Sequence, residues 1–150
     1  MAKSDSIKKI LKFAISREIE AYRLYRSIAA IVKNPKLKTS IEELAKEELE
    51  HKSKLEFEIQ RIGETVDIEQ NYDEFEPADY IDQNTKVDLT DKNILDIAIA
   101  KEDLSFKLYS NVLPDVRDEQ LKNTLTNLAK DEARHKQLLE IKYNEILRNS

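Results

Sequence analysis

The chain of 150 residues contains one pattern of residues twice, with a constant offset of 84 positions between the copies. The offset relates apolar residues, such as Leu11 and Leu95, and charged residues, such as Lys46 and Lys130. Duplication over most of the chain predicts a fold that contains one structural unit twice. Whatever chemistry the protein performs should then appear among the repeated residues.

The composition favours helices in both copies. The chain has one glycine and three prolines, and 37% of its residues are charged, many of them Lys and Glu, which form helices well. It has no cysteine, which excludes disulfides and sites that depend on thiolates, including four-cysteine iron centres. The length fits a single domain over residues 1–150.

Four helices are predicted from apolar residues that recur at three- and four-residue steps. Ser4 or Ser6 is expected to cap the first helix, and Asn34 followed by Pro35 is a typical start for the second. Gly63 follows the second helix, where a left-handed residue is favoured. Thr90 or Asp91 starts the third helix, which should finish near Pro114. The predicted ranges are about 6–33, 36–62, 91–113 and 117–148.

The connections between the helices predict their arrangement. Tight turns make helices one and two antiparallel neighbours, and likewise helices three and four. Residues 64–90 form a crossover long enough to run the length of a bundle, which is the layout of a four-helix bundle with one long connection. From Glu64 to Asp91 we count ten acidic residues and Lys86 as the one base, a net charge of −9. We expect a solvated connection; the alternative is a docking surface for a cationic partner or a path for cations.

The repeat preserves acidic residues and both histidines of the chain. In each copy, one Glu lies on the first helix of the hairpin and a Glu-x-x-His lies on the second. Glu18 and Glu48 both lie about 15 residues from the turn between their helices, so they should be level in an antiparallel pair. The six predicted metal ligands are Glu18, Glu48, His51, Glu102, Glu132 and His135.

Charge explains why these residues point to metals. The apolar neighbours of the Glu-x-x-His segments indicate that the four carboxylates face the interior, where each uncompensated charge costs several kcal/mol. Two divalent cations neutralise them, and carboxylate with imidazole suits Fe, Mn, Co or Zn. Glu47 and Glu50 are rival acids, but their counterparts are Asp131 and Arg134, so the repeat selects Glu48.

Repeated tyrosines accompany the predicted ligands. Tyr25 and Tyr109 lie seven residues after Glu18 and Glu102, two helical turns further on. They are predicted to bond a carboxylate ligand from outside the metal sphere and orient it; the alternative is a role as core aromatics whose hydroxyls find other partners. A further equivalent pair, Tyr22 and Phe106, is expected to form an apolar pocket wall.

With these residues the chain resembles the rubrerythrin-like branch of the ferritin-like superfamily of non-haem di-iron carboxylate proteins. The superfamily's ligand pattern is one Glu from each of two helices and Glu-x-x-His from each of the other two, and the six predicted ligands match it. The resemblance covers all four helices. It implies an all-α ferritin-like bundle that binds two iron ions, with Mn or Zn as alternatives, and reacts with hydrogen peroxide or dioxygen in oxidative-stress defence.

The chain departs from full rubrerythrins in two ways. Without cysteine it has no rubredoxin domain, so electrons must come from a separate donor, such as a rubredoxin-like protein. Rubrerythrins also carry an additional glutamate just after the first one on the third helix, but residues 103–106, which follow Glu102, contain none. The ligand exchange associated with that glutamate is therefore in doubt here.

Two other functions stay open. A ferroxidase or storage protein, as in bacterioferritins, has a similar ligand set; however, Leu49 stands where those proteins have their haem-binding methionine, and the 15 residues after His135 are too few for their fifth helix. A non-enzymatic bundle would use the metals for stability alone.

The sequence also limits the partners and the location. The N-terminal segment lacks the apolar stretch of a signal peptide, and the longest purely apolar run, 28–32, is too short to span a bilayer. A net charge of −5 gives no basis for nucleic-acid binding. We expect a cytoplasmic homodimer with no nucleic-acid or membrane partner.

Overall fold

The computed structural model describes residues 2–63 and 90–149, and in these two ranges it contains helices and no strands. The predicted all-α four-helix bundle is confirmed. The predicted crossover lies outside the described residues, apart from Thr90. The helices are α1 (Ala2–Ile31), α2 (Pro35–Arg61), α3 (Asp91–Val112) and α4 (Glu119–Arg148), with a short 3₁₀ turn, Leu113–Asp115, after α3.

Side-chain caps fix three of the helix starts. The Asn34 side chain accepts hydrogen bonds from the backbone N–H groups of Lys36 and Leu37, at 2.9 and 3.1 Å, and Pro35 occupies the first turn, as predicted. Thr90 caps α3 in the same way. Asp118 caps α4, so this helix begins at Glu119 rather than near residue 117.

The start of α1 differs from the sequence-based expectation, whereas the end of α3 near Pro114 agrees with it. Helix α1 begins at Ala2, so Ser4 and Ser6 lie within the helix and the predicted serine cap is wrong. Helix α3 ends at Val112, and the chain continues as a 3₁₀ turn that contains Pro114, because proline cannot donate the next helical hydrogen bond. Gly63 adopts the predicted left-handed conformation, with φ of +89°.

Two antiparallel hairpins, α1–α2 and α3–α4, pack against each other through α1 with α3 and α2 with α4. At one end of the bundle, the backbone N–H groups of Lys33 and Asn34 donate to the Asp91 carboxylate at 3.1 and 3.3 Å. At the other end, the Arg61 guanidinium donates to Asp118 at 2.6 Å. Helix α3 therefore starts at the end of the bundle opposite to the one where α2 finishes.

The core consists of two apolar layers with a polar layer between them. One layer includes Tyr25, Leu44 and Leu95, and the other includes Leu11, Leu55 and Leu125. The buried glutamates and histidines that the repeat preserves lie between the residues of these two layers. Burial of such side chains stabilises the fold by about 1.5–3 kcal/mol each and keeps water away from the polar layer.

Across the two described ranges, no helix combines the length and apolar character needed to cross a membrane.

Candidate metal centre

The middle layer of the bundle brings all six predicted ligands together. They form two overlapping groups, in each of which one nitrogen or oxygen per residue lies within 4.8 Å of the others. Every member is at most 2% exposed. The first group is Glu18, Glu48, His51 and Glu132, and the second is Glu48, Glu102, Glu132 and His135. Glu48 and Glu132 belong to both groups, so each would be shared between two metal positions.

Each histidine reaches across to the other hairpin. Nδ1 of His51 lies 2.8 Å from Oε1 of Glu132, and Nδ1 of His135 lies 3.1 Å from Oε1 of Glu48. Each Nδ1 is also 3.5 Å from the glutamate on the first helix of a hairpin: Glu18 for His51, and Glu102 for His135. The two rings stack with centroids 5.7 Å apart and planes 11° from parallel. The sequence repeat therefore appears in the structure as a local twofold symmetry.

Several buried atoms of the two groups have no hydrogen-bond partner. Nδ1 of His51 is among them although it lies 2.8 Å from Glu132, because the two groups are not aligned for a hydrogen bond. Buried polar atoms without partners are costly, and cations bound among them would satisfy these atoms. The donor set therefore fits two divalent cations such as iron, manganese or zinc. The unpartnered oxygens are Glu18 Oε2, Glu48 Oε2, Glu102 Oε2 and both of Glu132.

The crowding of carboxylates changes their proton affinities. Burial, followed by the charges of Glu18 and Glu132, raises the pKa of Glu48 well above its usual range. Burial and the charge of Glu18 raise the pKa of Glu132 in the same way. Burial also acts to raise the pKa of Glu18, but its close contacts with Glu48 and His51 outweigh burial and lower that pKa. Burial acts to lower the pKa of His51, but its close contacts with the Glu132 and Glu18 carboxylates outweigh burial and raise it to about 11.

The two repeated tyrosines cross between the hairpins. The Tyr25 hydroxyl donates a short hydrogen bond to Oε1 of Glu102, and the Tyr109 hydroxyl donates one to Oε1 of Glu18. Each tyrosine therefore contacts the glutamate of the other hairpin rather than the one seven residues before it. Burial and the neighbouring carboxylates raise the pKa of both tyrosines well above 10, so they remain donors.

The expected apolar wall of Tyr22 and Phe106 is wrong for Phe106. This side chain is 36% exposed. Tyr22 is buried in an apolar layer, but its hydroxyl accepts a hydrogen bond of 2.9 Å from Arg26. The equivalent positions therefore have different surroundings in the two hairpins.

Sequence analysis missed two acids that contact the histidines from the outer side. Nε2 of His51 lies 3.2 Å from Oδ2 of Asp131, and Nε2 of His135 contacts Oε2 of Glu47. A carboxylate at this nitrogen orients the ring and directs Nδ1 toward a metal. Glu47 and Asp131 occupy equivalent positions in the repeat, each directly before the Glu of a Glu-x-x-His segment. The presence of an acid at both positions was the sequence signal that could have identified them.

The described geometry can be compared with known proteins. The sequence model of the Rubrerythrin family matches residues 9–143. A solved structure of a hypothetical protein from Pyrococcus furiosus is 25% identical, with a TM-score of 0.76 over 94% of this chain and 90% of that one. A dodecameric thioferritin, a bacterioferritin-related protein from Bacteroides fragilis, is 18% identical, with a TM-score of 0.79 over 96% and 88%. No curated protein matches the chain.

Proposed function

Because the chain belongs to the Rubrerythrin family, we propose that it is a di-iron oxidoreductase that reduces hydrogen peroxide or dioxygen with electrons from a separate donor. One observation carries the proposal: four buried glutamates and two buried histidines form two overlapping ligand groups, in which five glutamate oxygens have no hydrogen-bond partner. Such atoms are suited to coordination.

The proposed ligands divide between the two metal positions as the two groups do. His51 and Glu18 serve one position, His135 and Glu102 serve the other, and the remaining two glutamates serve both. Four ionised carboxylates balance the charge of two divalent cations. Bound iron supplies Lewis acidity and redox capacity.

The rest of the site holds these ligands in place. The hydroxyls of Tyr25 and Tyr109 fix one oxygen of Glu102 and Glu18, respectively, and leave the other oxygen available. Glu47 and Asp131 hold the histidine rings from outside. The apolar layers above and below keep bulk water from the reacting groups, which strengthens electrostatic interactions within the site. Because the chain has no cysteine, a rubredoxin-like protein is a suitable external electron donor.

Stopped-flow mixing tests this proposal. The protein is loaded with ferrous iron without oxygen, and we expect two ions per chain. Peroxide or dioxygen should then oxidise the bound iron at least tenfold faster than free ferrous ion. Glu48→Gln should abolish the fast phase, whereas Glu50→Gln, a matched change at an exposed position two residues away, should retain it. Oxidation no faster than that of free ferrous ion would contradict the proposal.

Iron storage is the alternative function, and the likeness in fold to a bacterioferritin-related protein favours it. A storage protein oxidises and retains many iron ions per chain inside a large assembly. Light scattering and iron analysis after repeated additions of ferrous iron distinguish the two functions. We expect a dimer that retains about two ions per chain; a dodecamer or larger cage with a mineral core would support storage. Zinc as the sole metal in protein isolated from its own host would indicate a non-enzymatic bundle.

A further inference from the structure

The outer rim of the centre breaks the twofold symmetry that its interior obeys. Arg134 lies on α4, between Asp131 and His135, whereas the equivalent position on α2 is Glu50. The Arg134 guanidinium lies 3.3 Å from Glu47 and 3.9 Å from Asp131. One half of the centre therefore has a cation on its rim, and the other half has an acid at the matching position.

Arg134 affects the two histidines unequally. Glu47 contacts both Arg134 and the outer nitrogen of His135, so its negative charge is shared between them. The guanidinium nitrogen itself lies 3.5 Å from Nε2 of His135. Asp131 contacts His51 at 3.2 Å but lies further from Arg134 than Glu47 does. The cation is therefore coupled mainly to the His135 side.

Arg134 weakens metal binding at the His135 side in two ways. A carboxylate that also pairs with arginine is a poorer acceptor for the N–H of an imidazole, and the imidazole is then a weaker ligand. A positive charge close to Nε2 also repels a divalent cation bound at Nδ1, the other nitrogen of the ring. Ordering of Glu47 by Arg134 acts in the opposite direction, but it is small, because the contact with Nε2 of His135 already holds the Glu47 carboxylate in place.

We propose that Arg134 is a positioning residue that makes the two metal positions unequal. The position served by His135 binds its metal about five- to tenfold more weakly than the position served by His51. This inference rests on the proposed two-metal function. It gives the centre a defined order of loading and release, with the His135 position filled last and emptied first.

Chelator competition on the full-length, cobalt-loaded protein tests the inference. Cobalt(II) is the probe because its visible absorption reports each bound ion. In the unaltered protein we expect cobalt to leave in two steps at different chelator concentrations. Arg134→Gln should tighten the weaker step about five- to tenfold and bring the two steps together, while Arg134→Lys, which keeps the charge, should retain most of the inequality.

Three further variants assign the steps. Glu47→Gln should weaken the step of the His135 position about 10- to 100-fold, and Asp131→Asn should do the same to the other step. Lys130→Gln removes an exposed positive charge from the same helix and should leave both steps unchanged. Two equal steps in the unaltered protein, or unequal steps that Arg134→Gln does not change, would overturn the inference while leaving the two-metal function intact. Failure to bind two cobalt ions per chain would instead overturn the proposed function.

Discussion

Two buried carboxylates of α2, Glu58 and Glu48, differ in how many of their oxygens have hydrogen-bond partners. Glu58, near the end of α2, is 1% exposed and accepts hydrogen bonds from Arg61, Gln120 and Thr124, at 2.9, 3.2 and 3.0 Å. Glu48, three turns earlier on the same helix, is equally buried, yet one of its oxygens has no hydrogen-bond partner. Both oxygens of Glu58 therefore have hydrogen-bond partners within the protein, whereas the second oxygen of Glu48 would be satisfied only by a bound cation.

This difference separates a structural acid from a ligand. Glu58 joins α2 to the start of α4, and Arg61 extends the connection to the capping residue Asp118. No acid stands at the equivalent position of the other hairpin, which is Lys142. Glu48, in contrast, has Glu132 as its equivalent. Burial alone does not identify a functional carboxylate, and neither does one unpartnered oxygen, since Glu56 has one although its other oxygen pairs with Lys52 at 2.9 Å. The predicted ligands differ because five unpartnered oxygens lie in one buried cluster that includes both histidines.

The largest expected effect is the loss of the Glu58 network. Glu58→Gln removes the charge that Arg61 contacts and turns one acceptor into a donor that faces Gln120 or Thr124. We expect a destabilisation of about 2–3 kcal/mol, measured by urea unfolding, with metal binding unchanged. If the Glu58→Gln variant were as stable as the unaltered protein, Glu58 would not be a structural acid, and its proposed difference from Glu48 would be wrong.

Glu48→Gln should have the opposite effect on the chelator-treated protein. Burial raises the pKa of Glu48, so ionisation above pH 4.5 costs the folded state more than the unfolded state. Removing that ionisable group should stabilise the metal-free protein by roughly 1–2 kcal/mol at pH 7 and by nothing near pH 4. Urea unfolding at the two pH values measures this. Glu50→Gln is the matched control and should change stability by less than about 0.5 kcal/mol. An equal gain in stability at both pH values would show that the effect of Glu48→Gln does not come from the ionisation of Glu48.

The sequence predicted the ligands, which the repeat preserves as identical residues, and missed Glu47 and Asp131, where the repeat preserves only the acidic character. The duplicated Glu-x-x-His segments, together with the Glu repeated 30 residues before each, identified the six central residues. Local conformational preferences of Asn34, Pro35 and Gly63 correctly predicted the start and the end of α2. The Glu58 network has no equivalent in the other hairpin, so periodicity could not reveal it. The crossing of the tyrosines between hairpins depends on how the two units pack. Local preference also failed at the start of α1, where a serine was expected to cap a helix that begins at Ala2.

The carboxylates of Glu102 and Glu18 combine the two kinds of environment. In each, one oxygen accepts a hydrogen bond from a tyrosine hydroxyl and the other has no hydrogen-bond partner. Tyr25→Phe and Tyr109→Phe should each destabilise the protein by about 1–2 kcal/mol. By the twofold symmetry the two losses should agree within about 0.5 kcal/mol. Thermal unfolding of both variants tests this. A large difference between them would show that the interior of the centre is as asymmetric as its rim.

The smallest effect concerns Asp118, the exposed end of the Glu58 network. Bonds from Arg61, and then from the backbone of Leu121, lower the pKa of Asp118 below its usual 3.8. A lowered pKa adds stability at pH values above 3.8, and this contribution disappears as the pH falls through the folded-state pKa.

Asp118→Asn keeps a good helix cap but removes the charge. Because the carboxylate is 42% exposed, solvent screens the pair, and we expect a loss of less than about 1 kcal/mol at pH 7. Urea unfolding from pH 7 to pH 2 should show the two proteins converging as the pH falls below 3.8, and the difference at pH 7 should shrink in 1 M salt. A gap that persists at pH 2 would mean that Asp118 acts through packing rather than through its charge.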